Sequence, residues 1–369
     1  MDGATSLPVP SLPVSGSAVP GPPLPFTDGR RPRVPVMMDV ARLAGVSHQT
    51  VSRVVNAHAN VRAETRQRVL DAMRQLNYQP NSAARTLVTR RSNTIGIVTV
   101  DSTLFGPASM VYAIEQAARS AGYFVSVASI NTLTQRAVRE AVSRLEEQSV
   151  EGIVGVVPHD EAVHALVAVP SGVITVAVGV GSGAAVPFVG VDNVSGAAVA
   201  TRHLLAQGHR TVHHIGGPVG YPDARERRLG WRRALVEAGA PTPDALTGDW
   251  SARSGYELGR VLAADRSVTA VFCGNDQMAL GLLRALFEAG RRIPNDVGVV
   301  GFDDVPEAAY MIPPLSTVKQ DFTEMGRLSI GLFVRMIGDR KERERGAEPV
   351  RILLTPTLIP RESSRTAAA

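Results

Sequence analysis

The residues between Ser47 and Asn56 have the types and spacing of a surface that reads base pairs. Val51, Val54 and Val55 recur at i, i+3 and i+4, which marks one buried helix face. His48, Gln49 and Arg53 lie off that face. Arginine offers a bidentate fork to guanine, and glutamine pairs with adenine. Ser47 can cap the helix, and Thr50, Ser52 and Asn56 are short polar groups suited to phosphate oxygens. Charge points the same way. Residues 30–94 hold twelve arginines against three acids (Asp39, Glu64 and Asp71), a balance of +9, whereas the rest of the chain has 27 basic and 31 acidic residues. A basic module on a mildly acidic body implies a polyanionic partner for one part of the molecule. The competing reading is a small three-helix domain with an ordinary solvated surface.

A second group of candidates is more dispersed. Asp101, Asn275 and Asp303 each follow an apolar run that reads as a strand, and ligands of open α/β sheets bind beyond the carboxyl ends of strands. Other patterns are weaker. His203, His209, His213 and His214 fit no standard ligand spacing, so no metal is expected. Gly179-Val180-Gly181-Ser182-Gly183 lacks the Lys-Ser/Thr of a phosphate loop, no Gly-x-Ser-x-Gly elbow is present, and no cofactor is implied. Cys273 reads as a small core residue. A single cysteine permits no internal disulfide and suits the cytoplasm.

The elements that must hold these residues follow from length and periodicity. A chain of 369 residues, at roughly 150 per domain, makes two domains or a two-lobed unit with an added module. Residues 1–35 are rich in Pro, Gly and Ser and read as a disordered tail. Residues 36–79 read as three short helices, the first two joined at Gly45 in a helix-turn-helix pattern. Residues 80–93 form a connector whose helical part is shorter than the about 12–15 residues a helix needs alone in water, so it coils only with support. From Ile95 the chain alternates strand and helix. Strands are expected at 95–100, 124–129, 152–157, 174–178, 212–215, 270–273 and 297–302. Helices are expected at 109–121, 136–148, 195–207, 225–238 and 277–289. That alternation predicts parallel sheets covered on both faces, with residues 94–360 forming two α/β lobes about a cleft. Residues 361–369 read as a second disordered tail. No apolar run is long enough to span a membrane, and none is expected as a partner.

The stretch Asp39–Asn56 resembles the DNA-binding headpiece of the lactose-repressor (LacI) family. Asn77-Tyr78-Gln79-Pro80-Asn81 and Ala84-Arg85-Thr86-Leu87 resemble that family's third-helix end and hinge helix. The likeness continues through Gly248-Asp249-Trp250-Ser251, Asn275-Asp276-Gln277-Met278-Ala279-Leu280-Gly281, Gly301-Phe302-Asp303-Asp304 and Ile312–Phe322. It covers roughly residues 36–360. The resemblance implies an all-α helix-turn-helix headpiece on a two-lobed body like that of periplasmic binding proteins. It implies a homodimer on double-stranded operator DNA. Asn81, Arg85 and Leu87 would contact the duplex, with Leu87 as a wedge that unstacks the central step. It also implies a small sugar or sugar derivative in the cleft, held by Arg227, Trp250, Asn275, Asp303 and Phe322, with Leu104, Pro107 and Met110 as an apolar strip.

There are departures from the family pattern. Gly179 stands where its type member has an acid near the cleft, which removes a hydroxyl acceptor. Arg62 replaces a capping serine of the third helix. The C-terminus has no leucine heptad, so a dimer rather than a four-chain assembly is expected. The expected function is an effector-controlled transcriptional repressor and not an enzyme. The alternatives are a regulator with a non-sugar co-repressor and, from another class, a solute-binding protein. The basic headpiece argues against the latter.

Overall fold

A computed structural model describes residues 35–56, 58, 60–79, 91–100, 103–131, 134–156, 165–166, 173–179, 186–338 and 349–365. The chain divides into two compact units, Met1–Ser82 and Ala83–Ala369. The division falls within the expected 80–93 connector.

The first unit contains α1 (Met37–Ala44), α2 (His48–Val55) and α3 (Ala63–Gln75). Val40, Ala41, Ala44, Val51, Val54, Val69 and Ala72 form its core. The turn between α1 and α2 depends on Gly45, whose φ of 65° is a left-handed conformation that costs glycine nothing. Ser47 then accepts from the Thr50 amide at 3.2 Å, capping α2. Arg62 caps α3 with no side-chain bond.

The second unit holds two six-stranded sheets. The first lobe starts with β1 (Thr94–Val100), α4 (Phe105–Ser120), β2 (Phe124–Ile130), α5 (Gln135–Glu147), β3 (Gly152–Val156), β4 (Ile174–Gly179) and β5 (Phe188–Val191). The second lobe runs through α6 (Asn193–Ala206), β6 (His213–Gly216), α7 (Pro222–Glu237), β7 (Leu246–Thr247), α8 (Ala252–Ala264), β8 (Ala270–Cys273), α9 (Asp276–Glu288), β9 (Gly298–Asp303) and β10 (Ser316–Lys319). The chain then returns to the first lobe for α10 (Phe322–Gly338) and β11 (Arg351–Leu354), and ends in the second with β12 (Thr357–Ile359). The sheet orders are β11-β5-β4-β3-β1-β2 and β12-β10-β9-β8-β6-β7. All pairings are parallel except β10 with β12.

Three crossings therefore join the lobes, at residues 192, 320–321 and 355–356. They lie close together, since β5 and β11 pair and the Asp192 amide donates to Leu354 O at 2.9 Å. α10 closes the first lobe by packing Met325, Ile330, Leu332 and Phe333 into the core made by Ile95, Ile97, Met110 and Ile114. Emptying a site such as Phe333 would cost about 3–5 kcal/mol.

Every expected strand and helix of the second unit is present within a few residues. Missing from the sequence reading were β5, β7, α8, β10, α10, β11 and β12. The expected disordered tail from residue 361 is corrected. Glu362–Ser364 form a short 3-10 turn with Ser363 and Ser364 buried. Ser363 Oγ donates to Val299 O at 2.7 Å and accepts from the Ser316 amide at 2.8 Å. Ser364 Oγ lies 2.7 Å from Ser316 Oγ and 2.8 Å from His203 Nε2. The hydroxyls satisfy backbone groups at the starts of β9 and β10 that would otherwise be left unpaired, which is why a short polar segment is held. The expected tails at 1–34 and 366–369 lie outside the described residues.

Candidate functional site

α2 presents one face outward. Val51 and Val54 are buried, while His48, Gln49, Arg53 and Asn56 are exposed and Thr50 and Ser52 are half-buried. Ser47 and Thr50 are tied to each other, with their hydroxyls 2.9 Å apart, and Asn56 Nδ2 donates to Ser52 Oγ at 3.4 Å. No acid stands in the first turn of α2, so its amide end keeps a positive partial charge toward a phosphate. Asn81, Arg85 and Leu87 lie outside the described residues.

The cleft lies at the carboxyl ends of the strands of both sheets; its empty space, part of it open to solvent, is about 750 Å³. All eight residues expected there line it: Leu104, Pro107, Met110, Arg227, Trp250, Asn275, Asp303 and Phe322. Asp101 lies outside the described residues. Sequence reading missed Asn193, Tyr221, Asp223 and Gln320, which also line the cleft. Signals for two of them existed: Asp223 precedes Arg227 by one helical turn, and Gln320 comes directly after the strand-like run Ser316–Lys319.

Arg227 is buried on α7 between two aromatic rings, with its guanidinium carbon 3.8 Å from the Phe302 centroid and 5.6 Å from that of Trp250. Its Nε donates to Asn193 Oδ1 at 2.8 Å, its Nη1 donates to Gly274 O, and Nη1 lies 3.5 Å from Asp303 Oδ1. Asp303 also accepts from Gln320 Nε2 at 2.6 Å. Burial pushes the Asp303 carboxyl up to about 6, with Arg227 and Gln320 opposing the shift. Behind it, burial and the Asp303 charge push Asp276 up to about 8, although Thr317 Oγ1 and the Val305 amide donate to its two oxygens at 2.6 and 2.9 Å.

The expected roles need one adjustment. Asn275 is the N-cap of α9: its Oδ1 accepts from the Met278 amide at 2.9 Å, and its Nδ2 donates to Trp250 O at 2.9 Å and Gln277 Oε1 at 3.0 Å. One of these three bonds holds Trp250. That residue needs holding, because its φ is 73°. Trp250 also lies against Gly217, where any side chain would run into the indole. Tyr221 meets Trp250 edge-on at 6.0 Å, and Phe105 meets Phe322 likewise at 5.8 Å. The cleft thus has flat apolar walls and a fixed cluster of hydrogen-bonding groups on one side, the composition of small-molecule sites.

Asp223 is different from these. Its Oδ1 is shut from solvent and has no hydrogen-bond partner. Burial raises its carboxyl above the ordinary value, and Arg227 opposes this. Glu226 beside it is pushed up to about 7 by burial and by Asp223. Of the histidines, His214 is enclosed between Trp231 and Phe272, its Nδ1 donates to Phe272 O at 2.9 Å, and burial lowers it to about 4. Among the described residues no group of three or more His, Cys, Asp or Glu converges as a metal site would require. No helix among them is long and apolar enough to cross a membrane.

Known proteins share this arrangement. Residues 36–81 match the model for bacterial regulatory proteins of the lacI family, and residues 201–364 match that for a periplasmic binding protein-like domain. The chain is 34% identical to the lactose operon repressor of Escherichia coli (strain K12) over 325 residues, 88% of this chain and 90% of that one. It is 33% identical to the ribose operon repressor of the same strain over 342 residues, 89% and 99% of the two chains. Among solved structures, the lac repressor dimer bound to operator and the anti-inducer ONPF superposes with a TM-score of 0.81 at 34% identity, covering 90% of this chain and 100% of that one. A transcriptional regulator CelR–cellobiose complex gives 0.66 at 33% identity, covering 89% and 99%.

Proposed function

The chain belongs to the lacI family of bacterial regulatory proteins, and from that premise we propose that it is a homodimeric, operator-binding repressor whose grip on DNA is set by a small sugar in the cleft. The observation that carries the effector half is the Arg227–Asp303 pair, since its two members are bonded to residues at the crossings between lobes. Arg227 holds Asn193, directly after the first crossing, and Asp303 holds Gln320, in the second. A ligand that takes hydrogen bonds from Arg227 or gives them to Asp303 therefore acts beside the residues where the chain crosses between lobes, and its own bonds set the new lobe angle. Trp250 supplies a flat apolar wall for the C–H face of a pyranose, and Leu104, Pro107, Met110 and Phe322 close the other side.

In the headpiece, α2 enters the major groove with Gln49 and Arg53 toward base edges and His48, Thr50, Ser52 and Asn56 toward the edges and phosphates beside them, while Ser47 holds the start of the helix. Two headpieces read the two halves of a near-palindromic site. Asn81, Arg85 and Leu87, which the family likeness assigns to the hinge, contact the minor groove at the centre and couple the lobes to the duplex. A change in lobe angle separates the two connectors and releases them. Acting on DNA places the protein in the cytoplasm.

The test is fluorescence anisotropy on an operator selected from genomic fragments, with and without sugars. A sugar that binds the protein is expected to lower operator affinity. Arg227→Ala is expected to leave operator binding intact and abolish release. Release of Arg227→Ala at ordinary sugar concentration would show that the cleft is not the effector site.

A further inference from the structure

We propose that Asp223 sets the class of effector: the cleft takes an uncharged sugar that donates a hydroxyl to this carboxylate, and rejects sugars that carry a phosphate or a carboxylate. The inference rests on the sugar reading above and narrows it.

Asp223 lies in the first turn of α7, one turn before Arg227, so both face the cleft. The Arg227 guanidinium is directed to Asn193, Gly274 and Asp303, and Asp223 Oδ1 is left with no donor. A hydroxyl donor that arrives with a ligand would satisfy this acceptor. Burial holds the Asp223 carboxyl above its usual range. A hydroxyl donor favours the ionised form and relieves the cost, whereas an anion adds a second negative charge at the same place.

The surrounding charge agrees. Among the described residues lining the cleft, the acids are Asp223 and Asp303 and the only base is Arg227. Phosphate and carboxylate ligands are held by charge-assisted bonds from arginine or lysine. In sequence, the segments that follow β1, β3, β4 and β6 (residues 101–104, 157–173, 180–187 and 217–221) contain neither residue.

The experiment uses the full chain with four neutral probes (glucose, galactose, cellobiose and lactose) and four anionic ones (glucose 6-phosphate, galactose 6-phosphate, glucuronate and galacturonate). Thermal shift and titration calorimetry are the readouts. At least one neutral sugar is expected to bind, and none of the anions. Asp223→Asn is expected to weaken the bound neutral sugar by about tenfold and to raise affinity for its anionic counterpart. Asp223→Ala should lose the same preference, and circular dichroism on both variants confirms the fold. A merely structural role would move melting temperature but not the neutral-to-anionic ratio. Tighter binding of an anion than of its neutral counterpart, or an unchanged ratio in both variants, overturns the assignment of Asp223 and leaves the sugar reading standing. Binding of none of the eight overturns both readings.

Discussion

Arg227 is held on every side, so its replacements separate charge from shape. Lysine keeps one charge but loses the planar fork that reaches Asn193 and Gly274 together. Alanine leaves Asp303 buried without its cation, and breaking such a pair costs about 3–5 kcal/mol. We therefore expect Arg227→Ala to lower the melting temperature as well as abolish sugar binding. Arg227→Lys should keep most of the stability and still lose at least about tenfold in sugar affinity, read by calorimetry. Asp276 gives a pH test. Its carboxyl is held up near 8 in the folded protein, far above its value of about 3.9 in an unfolded chain. The folded state thus binds more protons between these values, and this group's contribution to stability falls as pH rises through 8. Asp276→Asn removes that loss. Its melting temperature relative to the natural protein should climb from pH 6 to pH 9, and a constant difference would mean that Asp276 is ionised throughout.

At the scale of elements, α2 and the C-terminal turn make separate predictions. Arg53→Ala should cost about 1–3 kcal/mol of operator binding and relax sequence preference, with sugar affinity unchanged. Ser47→Ala should cost the headpiece about 1 kcal/mol through the lost cap, measured by its thermal transition. Truncation after residue 360 should lower the melting temperature of the lobes, because Ser363 and Arg361 are lost. Truncation after 365 should not. Arg361 bonds Leu315 O at 2.8 Å and Asp304 at 2.7 Å, and Asp304 sits in a bend at φ 55° beside Asp303 at φ 114°. These elements also show what a sequence discloses. The headpiece was legible because Gly45, Ser47 and the valine stripe act within a few residues of one another. Long β-branched runs such as Ile95–Val100 were legible for the same reason. β7, with two residues, was too short to carry a period. α10 had its signals, an Asp321 that accepts from the Glu324 amide at 2.9 Å and an apolar stripe, but nothing local says that it returns to the first lobe. In the cleft, the likeness to known motifs placed Arg227, Trp250 and Asp303. Asn193 stayed hidden because its role arises only when the chain crosses between lobes. The buried Ser363 and Ser364 were misread because a polar, small-residue segment has the composition of a tail until the strand ends it satisfies are known.

For the whole molecule, the account links two sites in separate units of one chain. In the proposed mechanism a sugar in the cleft shifts the lobes through Asn193 and Gln320, and that shift decides whether two headpieces reach their half-sites together. Linkage makes that relation reciprocal: if a sugar weakens operator binding by some factor, operator must weaken sugar binding by the same factor. Coupling of this kind is usually about 1–3 kcal/mol, or roughly 5- to 150-fold. Disrupting the Asn193 bond should shrink the factor without removing either binding event, so Asn193→Ala is expected to bind both partners with weaker mutual effect. The most direct test is titration of the full chain with the sugar that the eight-probe panel selects, once alone and once with saturating operator duplex. The account predicts a sugar affinity lower with operator by the same factor by which the sugar lowers operator affinity. Equal sugar affinities in the two titrations would contradict it.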